Sequence, residues 1–251
     1  MISIIDIIEK RESLYSLAPF SDEIKNLKKK LDLLDFAYSD LRLYGSALTR
    51  EKVQSILDGV TVPDAPVFEH RLCEAHRKLL QRFADKIDMG IDVDNAVLDE
   101  FCNILAGTKT PPFREGTPLL YHIDYVPGDE ERMPSELANV FASVKRDERD
   151  GVFSKEQGGD FCLKAATLHG RIIKAYPYSD GFSEMAARVA MQYVIVQSGY
   201  FPIDIGISET EYNTILTGSL KSGNAAEFAE LIRSAIFKQL NFLIDTVERT
   251  I

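Results

Sequence analysis

Leu168-His169-Gly170-Arg171-Ile172-Ile173-Lys174-Ala175-Tyr176-Pro177-Tyr178-Ser179-Asp180-Gly181-Phe182-Ser183-Glu184-Met185-Ala186-Ala187-Arg188 is the stretch on which the fold turns. A helical pattern runs into Pro177, which cannot continue it because proline has no N–H to donate. Ser179-Asp180-Gly181 then reads as a tight turn, and a second helix begins near Phe182 and continues to Gly199. The first four N–H groups of a helix have no partner inside it, so a helix start behind a glycine turn is a ready anion site. Most such starts bind only water, so this corner alone does not establish a ligand.

The rest of the chain carries the same periodicity. Apolar residues recur at three- and four-residue spacing over 2–17, 22–44, 49–58, 66–87, 94–106, 134–148, 158–175, 182–198, 208–221 and 225–249. Thr49 caps a helix that Gly59 closes, Pro63 and Pro66 mark the next connection, and Asn224 starts the last long helix. The exception is 109–128, where Pro111, Pro112, Pro118, Pro127 and Gly128 surround Leu119-Leu120-Tyr121-His122-Ile123-Asp124-Tyr125-Val126. That inner run is rich in β-branched and aromatic residues and is expected to form a short strand or hairpin in an otherwise helical protein. An unpaired strand edge invites another chain to pair with it; the plainer alternative is an irregular connection tucked against the helices.

Composition narrows the function classes. With 251 residues, 45% apolar and 27% charged, the chain suits one helical domain with an N-terminal extension, expected to divide as 1–60 and 61–251. The net charge of −10 opposes a phosphate backbone, and Lys28-Lys29-Lys30 is the only basic run, so no nucleic-acid partner is expected. Cys73, Cys102 and Cys162 lie far apart in apolar stretches and read as buried thiols of a reducing compartment. Met1 to Ile8 is apolar but too short for a membrane span, and it lacks the features of a signal peptide. A cytoplasmic protein without membrane contact is expected, with secretion as an effector left open. His70 and His76 are six apart, which does not put both on one helix face as a metal pair requires.

Tyr176 to Ala187 resembles, in register, the Fic (Fido) family motif His-Pro-Phe-x-Asp/Glu-Gly-Asn-Gly-Arg-x-x-Arg, whose best-known bearers transfer AMP from ATP to protein hydroxyls. Pro177, the aromatic Tyr178, Asp180 and Gly181 match, while the histidine, asparagine, second glycine and both arginines do not. The flanks extend the likeness over roughly 40 to 235. Tyr125-Val126-Pro127 with Met133-Pro134-Ser135-Glu136-Leu137 resembles the family's flap and the helix behind it. Gly199-Tyr200-Phe201-Pro202-Ile203, then Glu209-Thr210-Glu211-Tyr212, resembles the motif's exit and next helix, and Gly223 to Leu231 a later turn and helix. Tyr44 to Val53 resembles the segment after the family's inhibitory helix, and His169 a histidine that many members carry.

The resemblance implies an all-α, Fido-like domain with a short β-hairpin flap. Tyr121, His122, Ile123, Asp124 and Tyr125 of that flap would align a target protein segment. Tyr176 and Asp180 would occupy the catalytic positions, and Gly181, Phe182, Ser183, Glu184 and Arg188 the nucleotide-phosphate positions. Asp180 would hold Mg²⁺ on ATP, since a hard cation takes carboxylate and phosphate oxygens.

The departures weigh against that chemistry. A phenol with a reference pKa of about 10 is a poor base at neutral pH, and the base it replaces contributes about 10²–10⁴-fold. Glu184 puts a negative charge where the family holds phosphate with arginine, though glutamate also suits a helix N-terminus. Ser183 replaces a glycine that admits close approach to the backbone. Arg188 lies one residue beyond the second arginine, about 100° around the helix. The family's inhibitory signature, Ser/Thr-x-x-x-Glu-Gly/Asn, falls on Asp40-Leu41-Arg42-Leu43-Tyr44-Gly45, where only the glycine remains.

Two function classes follow. One is a catalytically inactive scaffold that binds a protein through its flap. The other is a diverged nucleotidyl- or phospho-transferase, AMPylation-like, that uses Asp180, a metal and either His122 or Arg188 on a Mg-bound nucleotide or another phosphate-containing donor. The first is preferred because three catalytic contributions are missing together.

Overall fold

The computed structural model describes residues 2–153 and 159–250, and it is helical nearly throughout. Ten α-helices follow in order: α1 (Ile4–Ser16), α2 (Asp22–Leu43), α3 (Arg50–Leu57), α4 (Val67–Asp88), α5 (Asn95–Ala106), α6 (Met133–Arg149), α7 (Phe161–Ala175), α8 (Phe182–Gln197), α9 (Glu209–Ser222) and α10 (Ala226–Glu248). Each matches a periodic segment of the sequence to within about three residues. The segment expected over 158–175 starts at Phe161, with Gly158 outside the described residues. Local chemistry sets the starts: Ser3, Ser21, Thr49, Asp94, Asp160 and Ser208 each accept a backbone N–H of the first turn. Thr49 is the N-cap of α3, as expected; at α10 the N-cap is Ala225, and Asn224 Oδ1 accepts the N–H of Ala226, the first residue of the helix.

Helix α8 is the centre of the molecule. Apart from Phe182 and Glu184, every residue from Ser183 to Ile195 is buried, and α7, α5, α4 and α2 all pack on it. A helix hydrophobic all round has no stable home except inside such a bundle. Helix α10 packs on α1 and α7, and α6 on α7. Side chains from both 1–60 and 61–251 join one cluster, from Ile4, Ile7 and Phe36 to Ile195, Leu240 and Val247.

The three cysteines are buried free thiols. Burial pushes Cys73 up to about 12, and Cys102 and Cys162 also rise, so none is a ready nucleophile. No helix among the described residues is long and apolar enough to cross a membrane.

The expected hairpin does not form as a ladder. Over 119–126 there is a single antiparallel bridge, Leu120 with Tyr125, closed around a 3-10 turn at Tyr121–Ile123. Leu120 N–H donates to Tyr125 O at 3.1 Å and Tyr125 N–H to Leu120 O at 3.3 Å. Pro118 and Pro127 bound the segment and lack the N–H groups a longer ladder would use. Tertiary contacts then claim the tip: Ile123 is buried, and its carbonyl accepts the Thr217 hydroxyl of α9 at 2.9 Å.

Candidate functional site

The corner between α7 and α8 is built from backbone that few residues tolerate. Tyr176 ends α7 with φ 45°, Asp180 has φ 53° and Gly181 φ 80°. Left-handed conformations cost a residue with a Cβ of order 1–3 kcal/mol, so surrounding contacts must hold them. One is the Ser183 hydroxyl, which accepts the Tyr178 N–H at 2.6 Å and donates to Tyr178 O at 2.8 Å. Another is the segment before the flap. Phe113 bridges Tyr178, Arg114 N–H donates to Pro177 O at 3.0 Å, and Ser179 N–H donates to Pro112 O at 2.8 Å. The buried Arg114 guanidinium in turn donates to Gly116 O and Gly128 O, tying the corner to the flap's base.

Glu184, in the first turn of α8, decides the electrostatics. Its carboxylate accepts from His122 Nε2 at 2.8 Å and from the Tyr176 hydroxyl at 3.4 Å, and its side chain is 12% exposed. The loop carrying His122 therefore lies over the corner. The other loop residues point elsewhere: Tyr121 is 84% exposed, Asp124 pairs with Lys221, and the Tyr125 hydroxyl donates to Lys174 O at 3.1 Å. Burial, then the Glu184 charge, pushes the Tyr176 phenol well above its ordinary value, so it stays protonated and cannot accept a proton at neutral pH. The hydrogen bond to Glu184 raises His122 against the opposing effect of burial.

Aromatic rings fill the space beside the turn. A Cβ on Gly181 would lie 3.0 Å from Tyr44 Cε2, so the Tyr44 ring rests on that glycine. Tyr44 packs on Phe68 with centroids 5.6 Å apart, and Phe68 meets Phe182 edge-on at 6.5 Å. Asp180 is exposed, accepts the Ser179 hydroxyl at 3.3 Å, and belongs to no group of three or more metal-ligating side chains among the described residues.

Arg188 lies one turn beyond Glu184 on the same face of α8, with its Nε bonded to Asp40 and its two Nη atoms without a hydrogen-bond partner among the described residues. It is 3% exposed and forms an ion pair with Asp40 of α2, which is equally buried. Asp40 also meets His76 Nε2 at 3.0 Å, while His76 Nδ1 faces Leu72 O at 2.7 Å. Burial opposes the Arg188 charge, but Asp40, Tyr212 and Glu184 together overcome it and raise the guanidinium further. Burial likewise disfavours ionised Asp40, and Arg188 with His76 overcomes it. His169 Nε2 shares a hydrogen bond with the Tyr212 hydroxyl at 2.8 Å, and its ring stacks on Phe228. Burial and then Arg188 push it down to about 3, so it is a neutral core residue.

The architecture matches solved structures of one kind. A Fic domain-containing signaling protein from Bacteroides thetaiotaomicron has TM-score 0.79 at 20% identity, covering 97% of this chain and 98% of that one. Fic-1 from C. elegans gives 0.72 at 15% identity, over 98% of this chain and 73% of that one. A Fic family protein from Desulfovibrio desulfuricans gives 0.65 at 14%, over 98% and 76%. The chain has the Fic fold. No family model and no curated protein matches its sequence. On the Fic scaffold, the structure brings Tyr176, Glu184, His122, Gly181 and Phe182 together, with Arg188 buried one turn further along α8 and paired with Asp40. Sequence reading missed Asp40 and Phe68, and the contact of Tyr44 with Gly181. One signal was available: Asp40 and Arg188 are each a lone charge in an apolar helical run, Phe36-Ala37 to Leu41 and Met185 to Ala190, and such charges need partners.

Asp40→Ala leaves the Arg188 charge buried without a counter-ion and is expected to cost about 3–5 kcal/mol in urea unfolding. Asp40→Leu with Arg188→Met is expected to cost clearly less; equal losses would show the pair contributes only by volume. The His122–Glu184 contact has a defined pH sense. Because His122 is raised in the folded protein, the ion pair is fully present below the ordinary histidine value of about 6.5 and is lost as pH rises through the raised one. Amide shifts at Tyr121–Asp124 should follow that titration and stop following it in His122→Gln. Unchanged shifts in the parent protein between pH 5 and 9 would contradict the contact.

Proposed function

We propose that this Fic-fold protein is a protein-binding scaffold without nucleotidyl transfer, its former nucleotide corner closed by its own side chains. The observation that carries the reading is Glu184: a carboxylate hydrogen-bonded to His122 and Tyr176 where an incoming phosphate would need the free N–H groups of α8. Each further change points the same way. Tyr176 holds its proton, Ser183 spends its hydroxyl on Tyr178, the Tyr44 ring lies on Gly181, and Arg188 is engaged by Asp40.

Magnesium and ATP do not fit the residues present. Asp180 offers one exposed carboxylate, but the phosphates that would complete the coordination face the Glu184 carboxylate, and the arginine beside it, Arg188, is buried and paired with Asp40. No step through them is derived. What the corner retains is a means of placing the flap. His122 fixes the loop over α8, leaving Leu119, Tyr121 and Val126 outward at 57%, 84% and 55% exposure. Tyrosine and aliphatic side chains in that setting suit a protein partner held by side-chain contacts, rather than by the strand pairing that one bridge cannot template.

The reading is tested by incubating the protein with labelled ATP, GTP, UTP or CDP-choline and Mg²⁺, alone and with lysate. No covalent label is expected, and calorimetry with ATP and Mg²⁺ should give binding no tighter than about millimolar, about 4 kcal/mol. Label that vanishes in Asp180→Ala would establish the diverged transferase instead.

A further inference from the structure

A second site is formed on the far side of the flap. Helices α6 and α7 pack side by side, and where they meet the loop carrying Tyr125 and Gly128 they leave a cavity of about 420 Å³. None of its lining residues belongs to 176–188. Its size falls in the range of small-molecule pockets.

The lining has an unusual charge for a chain of net −10. Arg146 of α6 and Arg171 and Lys174 of α7 face the cavity, against one lining carboxylate, Glu136. Arg171 is held in place: Nη1 donates to Ser143 Oγ at 3.0 Å and Nη2 bonds Asp147. Its Nε–H enters neither contact. Arg146 and Lys174 make no ion pair among the described residues, and both are exposed. Asn139 adds an amide to the wall. With Arg171 balanced by Asp147, the exposed Arg146 and Lys174 are the cations at this hollow without an ion pair among the described residues, and an anion between them would relieve their mutual repulsion.

The geometry points to this cavity as a binding site for a phosphate monoester. Two guanidinium groups and an ammonium present more donors than the two oxygens of a carboxylate can take, whereas a phosphate monoester offers three acceptor oxygens and charge near −2. Arg171, oriented by Ser143 and Asp147, supplies a fixed donor, and Arg146 and Lys174 close from the rim. The site shares Tyr125 and Gly128 with the flap and adjoins Tyr176 through Ala175, but its cationic donors play no part in the scaffold reading above.

The test is calorimetry on the full chain with inorganic phosphate, with a phosphoserine peptide, and with the same peptide carrying unmodified serine. Inorganic phosphate is expected to bind in the millimolar range and to weaken as salt rises. A phosphopeptide bound at least about tenfold tighter would identify a protein-borne phosphate as the source, and equal affinity a free small molecule. Arg146→Gln with Lys174→Gln, both exposed and so compatible with folding, should weaken binding by about tenfold or more. Lys29→Gln, an equally exposed lysine elsewhere, should leave it unchanged. Absence of binding by phosphate and phosphopeptide alike, or binding that the double variant retains, would overturn the proposal.

Discussion

Two charges buried to 3% exposure, Asp40 on α2 and Arg188 on α8, hold the rest of the arrangement in register. Neither could stay ionised in the core alone, and together they fix the C-terminal turn of α2 against the central helix. That placement sets Tyr44, one turn beyond Asp40, on Gly181, and so closes one side of the corner. The same pairing takes the Nε of Arg188, one turn beyond Glu184 on α8, and buries its charge beside the corner. The other side is closed by Glu184, whose carboxylate at that N-terminus favours the helix and attracts His122.

Much of the fold was legible because it rests on periodicity and punctuation. The ten helices follow apolar spacing, and their starts follow Ser, Thr and Asp caps, which are local signals. The flap was legible as a break and misread as a hairpin. Its residues favour strands, but Pro118 and Pro127 limit pairing, and the burial of Ile123 with the Thr217 bond imposes a turn. The segment Pro112 to Arg114 gave no sign that it would pair with 177–179, since such pairing depends on distant backbone rather than on composition.

The corner was legible in outline only. Its turn, its exposed Asp180 and the protonated state of Tyr176 follow from residue type and position. The consequence of Glu184 does not, because His122 lies 62 residues away and only tertiary structure joins them. For Arg188 a one-residue shift of register sufficed to expect displacement, and the structure supplies the reason in Asp40. The cationic cavity was invisible for a related cause. Arg146, Arg171 and Lys174 sit on two helices and form no basic run, yet packing of α6 on α7 gathers them.

The likeness to Fic-domain structures concerns the fold, while function resides in the side chains set upon it. Here burial and Glu184 keep the Tyr176 phenol protonated, Glu184 sets a carboxylate in the first turn of α8, and Asp40 pairs with Arg188. The most direct measurement is an amide-shift titration of Gly181, Phe182, Ser183 and Glu184 with ATP and Mg²⁺ at neutral pH. The account expects no saturable shift up to about millimolar nucleotide; saturation at about micromolar concentration, with His122 released from Glu184, would contradict it.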